Sequence, residues 1–291
     1  MKNWKRNSQI VALVLSLAGV AWPAGGEDFQ LISTVDPAQG SPTGGSGDSW
    51  TPIISRDGRY VLFTSTANNL LLATNNQPIP APFPPALNVY LRDRTNGTTS
   101  LVSVNLSGVA GGNGDSFPID ISTNGRYALF ESSASDLVAK DTNNVSDVFV
   151  RDLVNGTTLL VSVSTNGYVG NGASRSSVMT PDGHYVAFVS AANNLVAGDT
   201  NRIADVFVRD LEASQTKLVS VGAMSTNFTL AYGSSEAPDI TPDGRLVAFY
   251  STATNLVAGV RTTGDIYVRD LVEGTNAWVS SYARTAVRSN S

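Results

Sequence analysis

Short apolar runs recur along this chain in a fixed order, each behind the same kind of polar turn. Pro181-Asp182-Gly183-His184 leads into Tyr185-Val186-Ala187-Phe188, and Asp205-Val206-Phe207-Val208-Arg209-Asp210-Leu211 follows. Asp57-Gly58-Arg59 precedes Tyr60-Val61-Leu62-Phe63 and, later, Asn88-Val89-Tyr90-Leu91-Arg92-Asp93. Asn124-Gly125-Arg126 precedes Tyr127-Ala128-Leu129-Phe130 and Asp147-Val148-Phe149-Val150-Arg151-Asp152. Asp243-Gly244-Arg245 precedes Leu246-Val247-Ala248-Phe249 and Asp265-Ile266-Tyr267-Val268-Arg269-Asp270. The turn glycines stand at 58, 125, 183 and 244, so the spacing is 67, 58 and 61 residues. Such self-similarity decides architecture before any local propensity does, because each unit buries its apolar faces only against its neighbours.

Each unit predicts four strands. Strand a is the short run before the turn, such as Phe117–Ile121. Strand b is the Tyr-Val-Ala-Phe run and strand c the Val-Phe-Val run. Strand d is read as Leu101–Val104, Leu160–Val163, Leu218–Val221 and Ala277–Ser281. Strands b and c are nearly continuous apolar stretches, as expected of strands covered on both faces. Asp-Gly or Asn-Gly joins a to b in every unit, the tightest hairpin signal available. The c–d link is also short, whereas b–c and d–a are long. In an antiparallel meander all tight turns then share one face of the assembly and all long loops the other. The fold class is therefore all-β, with four complete units at about 50–105, 117–164, 175–222 and 236–282. The Phe29–Val35 run repeats the strand d pattern and reads as a lone outer strand whose own unit is absent.

The Pro-Asp-Gly-[Arg/His]-Tyr-Val-Ala-Phe and Asp-Val-Phe-Val-Arg-Asp-Leu pattern resembles the TolB-type, WD-like β-propeller repeats of bacterial exported proteins, over roughly residues 29–282. The resemblance implies a β-propeller of four-stranded antiparallel blades. It says little of function, since such blades occur in binding scaffolds and beside hydrolase domains. Propellers of this kind usually carry more blades than four and close by pairing strands from both termini. Here the last unit already owns a strand d, so either a four-bladed ring carries a spare strand or the chain is a segment of a larger ring.

Composition adds an address. Lys2, Lys5 and Arg6 precede the apolar run Ile10–Val20, and residues 1–26 read as a signal peptide cleaved after Gly26, with Ala21 as the alternative. The run is short for a membrane span, so no stable insertion is expected after cleavage. A periplasmic or extracellular location follows, with residues 27–291 as one propeller domain. The chain has no Cys, so export brings no disulfide and no lipid-modified cysteine. Removing the three leader cations from 19 leaves 16 bases against 24 acids, a balance of −8. That excess of acid argues against general nucleic-acid binding.

The candidate chemistry lies in the b–c loops. Asp141, Asn143 and Asp147 share the spacing D-x-N-x-x-x-D with Asp199, Asn201 and Asp205. Oxygen side chains at this spacing suit Ca²⁺, which takes carboxylate, amide and carbonyl oxygens. The same residues also make Asx-turns that shape a loop. Thr74 and Val260 stand where the first acid would be in the outer units. The Arg-Asp pair closing every strand c obeys the repeat, so a structural role is expected, one residue reaching a neighbouring blade and the other capping the c–d turn. His184, the one histidine, replaces a turn arginine and reads as an exposed turn residue. With no Cys and no second His, no catalytic triad is visible, although a carboxylate pair for glycoside chemistry leaves no local signature. The proline-rich Gln77–Pro85 insertion reads either as an extended segment that docks a partner or as an irregular surface loop. The Gly-rich Gly40–Asp48 and Gly108–Asp115 read as flexible d–a loops. The expectation is a non-enzymatic binding scaffold for a protein or cell-envelope ligand at the long-loop face. The alternatives are a carbohydrate-active or peptidase-associated propeller with acids at the channel mouth, and a structural surface spacer.

Overall fold

A computed structural model describes residues 32–34, 44–72, 77–80, 85–224, 234–261 and 264–281. The expected leader at 1–26, most of the expected Phe29–Val35 strand and Thr74 lie outside the described residues. Four four-stranded antiparallel sheets follow one another, each a simple meander. Blade 1 holds β1 (Ser49–Ile54), β2 (Tyr60–Ser65), β3 (Asn88–Asp93) and β4 (Thr98–Leu101). Blade 2 holds β5 (Ser116–Ile121), β6 (Tyr127–Ser132), β7 (Asp147–Asp152) and β8 (Thr157–Leu160). Blade 3 holds β9 (Ser174–Met179), β10 (Tyr185–Ser190), β11 (Asp205–Asp210) and β12 (Gln215–Leu218). Blade 4 holds β13 (Ser235–Ile240), β14 (Leu246–Ser251), β15 (Asp265–Asp270) and β16 (Thr275–Trp278). The all-β class and the four-stranded units are as the repeat predicts.

The outer strand departs from the expectation. Only the first residue of each Leu-Val-Ser-Val run belongs to it, so the strand starts directly after the c–d turn and ends early. The serine of that run explains the break. Ser162 Oγ donates to Asp147 Oδ1 (2.6 Å) and accepts the Val148 N–H (3.1 Å). Ser220 does the same with Asp205 and Val206, at 2.5 and 3.1 Å. The side chain thus takes a ladder hydrogen bond that a continuing strand backbone would otherwise make.

The core lies between consecutive sheets rather than in one centre. Leu62, Val89 and Val102 of blade 1 pack against Ile121, Phe130 and Phe149 of blade 2, and the pattern recurs between blades 2 and 3 and between 3 and 4. Phe130 stacks on Phe149 at 5.5 Å and Phe188 on Phe207 at 5.8 Å, so each seam carries an aromatic pair. Strands b and c of blades 2 and 3 are accordingly buried on both faces. In blade 4 they alternate between buried and partly exposed, because no further sheet among the described residues covers their second side.

The hairpin turn glycines also join blades. Gly125 of blade 2 sits against the ring of Tyr60, Gly183 against Tyr127, and Gly244 against Tyr185. All three have positive φ, +68°, +81° and +70°, which glycine adopts without steric cost.

Candidate functional site

The long loops form one interlocked layer. Each d–a loop is bound to the b–c loop of the blade it enters. Asn113 accepts the Ser135 N–H (2.9 Å) and its own N–H donates to Asp136 Oδ1 (2.9 Å). Asn171 does the same with Asn193 and Asn194, at 3.0 and 2.9 Å. Ser46 and Met224 donate N–H to Asn69 and Asn255. The d–a loops also reach the outer edge of the next blade, where Asn105, Leu106 and Gly108 line one cavity with Gly156, Thr157 and Thr158, and Thr165 Oγ1 accepts the Thr216 N–H at 3.2 Å. The described part of the Gly-rich loops has a packing reason for its glycine as well. A Cβ on Gly114 would stand 2.7 Å from the Ala134 nitrogen, and one on Gly172 2.7 Å from the Ala191 carbonyl carbon. These glycines permit close backbone contact between loops.

Within this layer the two D-x-N-x-x-x-D loops take one shape. Asn143 Nδ2 donates to Asp147 Oδ2 (2.6 Å) and to the Gly170 carbonyl (2.8 Å), while its Oδ1 accepts the Val145 N–H (3.0 Å). Asn201 repeats this with Asp205, the Ala223 carbonyl and Ile203. The Asx-turns expected of these residues are thus present. Asp141 and Asp199 are each more than nine-tenths buried. Each accepts a backbone N–H, from Asn143 and Asn201 respectively, yet Oδ1 of each has no partner. Burial raises the pKa of both, and it pushes Asp147 and Asp205 up to about 6. The neighbouring Asp141 and Asp199 charges push Asp147 and Asp205 in the same direction. Blade 1 replaces the second acid by Asn88, whose Oδ1 accepts from Ser103 Oγ and the Gly112 N–H. Among the described residues no three of His, Cys, Asp and Glu are grouped to hold a metal, so amide and carbonyl oxygens would have to complete any site here.

The opposite, tight-turn face is a repeated clamp. Arg59, Arg126 and Arg245 each donate to the Asp of the Arg-Asp pair, Asp93, Asp152 and Asp270, at 2.7 Å. The same Asp accepts backbone N–H groups of the c–d turn, such as Val154 and Asn155. The Arg of the pair runs the other way. Arg151 Nη1 donates to Thr158 Oγ1, and Arg209 Nη1 to Thr216 Oγ1 and to the Val163 and Ser164 carbonyls of blade 2. The expected division of labour is present in blade 3. His184 is less exposed than the turn residue its position implied. Its Nε2 lies 3.0 Å from Asp210 Oδ1 and its ring stacks on Tyr185, so it fills the arginine's place.

The proline-rich insertion is anchored where it is described. Leu72 bridges to Pro78, and Ile79 is buried in the blade 1 cluster with Phe63, Leu70 and Tyr90. Sequence reading gave this apolar residue no role, because a single isoleucine among prolines has no period.

Sheet geometry and repeated seams define this chain as a β-propeller repeat protein built of four-stranded blades. Its fold resembles that of TolB from Acinetobacter baumannii, at 15% identity and a TM-score of 0.42, over 82% of this chain and 46% of that one. It resembles a putative TolB from Agrobacterium tumefaciens at 16% identity and 0.41, over 82% of each chain. It also resembles the β-propeller domain of the Trilobed protease from Pyrococcus furiosus at 12% and 0.46, over 80% of this chain and 57% of that one. The chain thus spans about half the length of the first of these. No family model and no curated protein matches the sequence.

Proposed function

We propose that this chain is an exported, non-enzymatic β-propeller scaffold that binds a protein or cell-envelope partner through its long-loop face. The observation that carries this reading is a row of exposed apolar side chains on loops that are themselves locked. Leu106 and Val109, Tyr168, and Met224 stand on three successive d–a loops. Their loops are fixed by the asparagine interlocks described above, so little conformational entropy is lost when a partner covers them. Export rests on the charged and apolar pattern of residues 1–26. Among the described residues no helix is long and apolar enough to cross a membrane. His184 is engaged by Asp210 in a repeated clamp, so it is not free to serve as a base. A photo-crosslinking amino acid at Tyr168 or Met224 is expected to capture an envelope protein in intact cells. The same probe at the exposed turn residues Val154 and Val272 serves as the control. Capture from the turn positions alone would overturn the assignment.

Calcium is proposed to brace the b–c loops of blades 2 and 3 through Asp141, Asn143 and Asp147 and through Asp199, Asn201 and Asp205. What supports this is the unpartnered Oδ1 on Asp141 and on Asp199, in each case beside a second buried carboxylate. A hard divalent cation satisfies such oxygens and relieves their repulsion. Saturation about 100-fold above Kd stabilises a fold by about 2.7 kcal/mol, which is roughly 5–10 °C in a domain of this size. A gain of that order in millimolar Ca²⁺ over chelator is expected for the native chain and not for an Asp141→Asn/Asp199→Asn variant. Equal melting temperatures in calcium and chelator would end the proposal.

A further inference from the structure

Two of the three seams between blades are closed at the outer edge by hydrogen bonds to the incoming d–a loop, and the first seam is open there. Between blades 2 and 3, Arg209 Nη1 reaches the Val163 and Ser164 carbonyls, and Thr216 Oγ1 donates to the Val163 carbonyl. The Thr216 N–H donates to Thr165 Oγ1 at 3.2 Å. Between blades 3 and 4, Asn276 accepts from Arg269 and donates to the Val221 and Leu256 carbonyls at 3.1 Å each. Between blades 1 and 2, Arg151 has one hydrogen-bond partner among the described residues, Thr158 Oγ1 at 2.9 Å. Its neighbour Asp152 is turned away to Arg126. The cause lies in the loop. Leu106 stands where Thr165 stands, so the Thr158 N–H, in the register of Thr216, meets no loop hydroxyl. The loop is also one residue longer. Gly112 N–H bonds the Ser103 carbonyl nine residues back, and Gly170 N–H bonds that of Ser162 eight residues back. A cavity of about 330 Å³ takes the place of the closed seam. That is the small end of the range for ligand pockets.

We propose that this cavity binds a carboxylate carrying a short branched apolar group. Its polar side offers the Arg151 guanidinium, whose planar fork matches a carboxylate, and the Thr158 edge N–H. Its apolar side is Leu106, Val138 and the buried Leu137. Burial pushes the Arg151 pKa down, and the Asp152 charge opposes this in smaller measure. A bound anion offsets that cost of burying the cation. The Leu106 N–H donates to the Asp136 carbonyl at 2.6 Å, so the loop wall is held in place before a ligand arrives. A repeat protein keeps its structural contacts alike from unit to unit, and here one unit alone of the three departs. A free branched acid and the C-terminal residue of a peptide present the same chemistry.

Isothermal titration of the full chain separates these sources and tests the site. The probes are 4-methylpentanoate and N-acetyl-leucine, each beside its amide. One acid or both are expected to bind with Kd on the order of 0.1–1 mM, as suits so few atoms. Tighter N-acetyl-leucine assigns a peptide C-terminus, and tighter 4-methylpentanoate a free acid. The amides are expected to bind about tenfold more weakly or worse, since they bring no charge to the guanidinium. Arg151→Gln should lose at least about tenfold in affinity for the acids. Leu106→Thr changes an exposed residue and restores the hydroxyl that closes the next seam, so it should fold and weaken binding about tenfold as well. It decides the matter by itself if Arg151→Gln melts early. No saturable heat up to about 10 mM of either acid, amides that match their acids, or unchanged binding in Leu106→Thr would each overturn the proposal.

Discussion

Gly183→Ala is expected to cost about 2–5 kcal/mol of stability, against about 1–2 kcal/mol for Gly58→Ala. Both glycines follow Asp in an a–b hairpin, and both have positive φ, +81° and +70°. The backbone term is therefore shared, about 1–2 kcal/mol for an L-residue in the left-handed region. The packing term is not shared. A Cβ on Gly183 would stand 3.0 Å from Cγ and 3.2 Å from Cβ of Tyr127 in the preceding blade. These atoms are at the root of the side chain and cannot swing aside, so overpacking adds about 1–3 kcal/mol. A Cβ on Gly58 would have only Arg94 Nη1 nearby, at 3.8 Å. Denaturant midpoints at constant slope measure the difference. Repeated in a Tyr127→Ala background, the Gly183→Ala loss should shrink toward that of Gly58→Ala, leaving only the contact with the remaining Cβ at 3.2 Å. Equal losses at the two glycines in the native background would show that the turn does not touch its neighbour.

The repeat made the fold legible because its period is carried by residues with no other reason to recur. Asp-Gly at the hairpin, Phe on strand b and Phe or Tyr on strand c fix turn, strand and seam at once. The simple meander of each sheet followed from connection lengths alone. What the sequence hid is contact between loops. Gly114 looks like a flexible linker residue, because composition does not reveal that a neighbouring backbone passes 2.7 Å from where its Cβ would be. The serine in Leu-Val-Ser-Val looked like a polar position on a strand, yet Ser162 ends the strand by bonding Asp147. His184 looked free because its partner, Asp210, lies 26 residues away. The acids of the candidate cation loops were legible by spacing, but burial of Asp141 and Asp199 was not, since both stand in polar surroundings in the sequence. The unlike ends of the molecule were also hidden. Ile54 and Ile121 are the same residue in the same register, yet among the described residues only Ile121 has a preceding sheet packed against it.

In the presence of chelator, the protein is expected to be most stable near pH 4–5 and to lose stability on both sides. Two groups of carboxylates with opposite shifts produce that maximum. Asp93, Asp152 and Asp270 are held to about 2, first by the hydrogen bonds from Arg59, Arg126 and Arg245. Their folded pKa lies below the unfolded value near 4, so their contribution is present above about pH 4 and is lost as pH falls toward 2. Asp147 and Asp205 are pushed up to about 6 by burial. Their folded pKa lies above the unfolded value, so the protonated form favours the fold. That contribution is present below about pH 4 and is lost as pH rises through 6, at about 3 kcal/mol for each group from a shift of roughly two units. Melting temperatures from pH 3 to 8 should therefore fall between about pH 4 and 6.5 and level off above that. In an Asp147→Asn/Asp205→Asn variant that neutral limb should flatten while the acid limb stays. Blade 1 shows that the fold accepts the amide, because Asn88 already fills this position and receives the Ser103 hydroxyl at 2.7 Å. A melting temperature that climbs steadily from pH 4 to 7.5 in the native chain would mean that these two aspartates are ionised without cost, and the burial argument for them would fall.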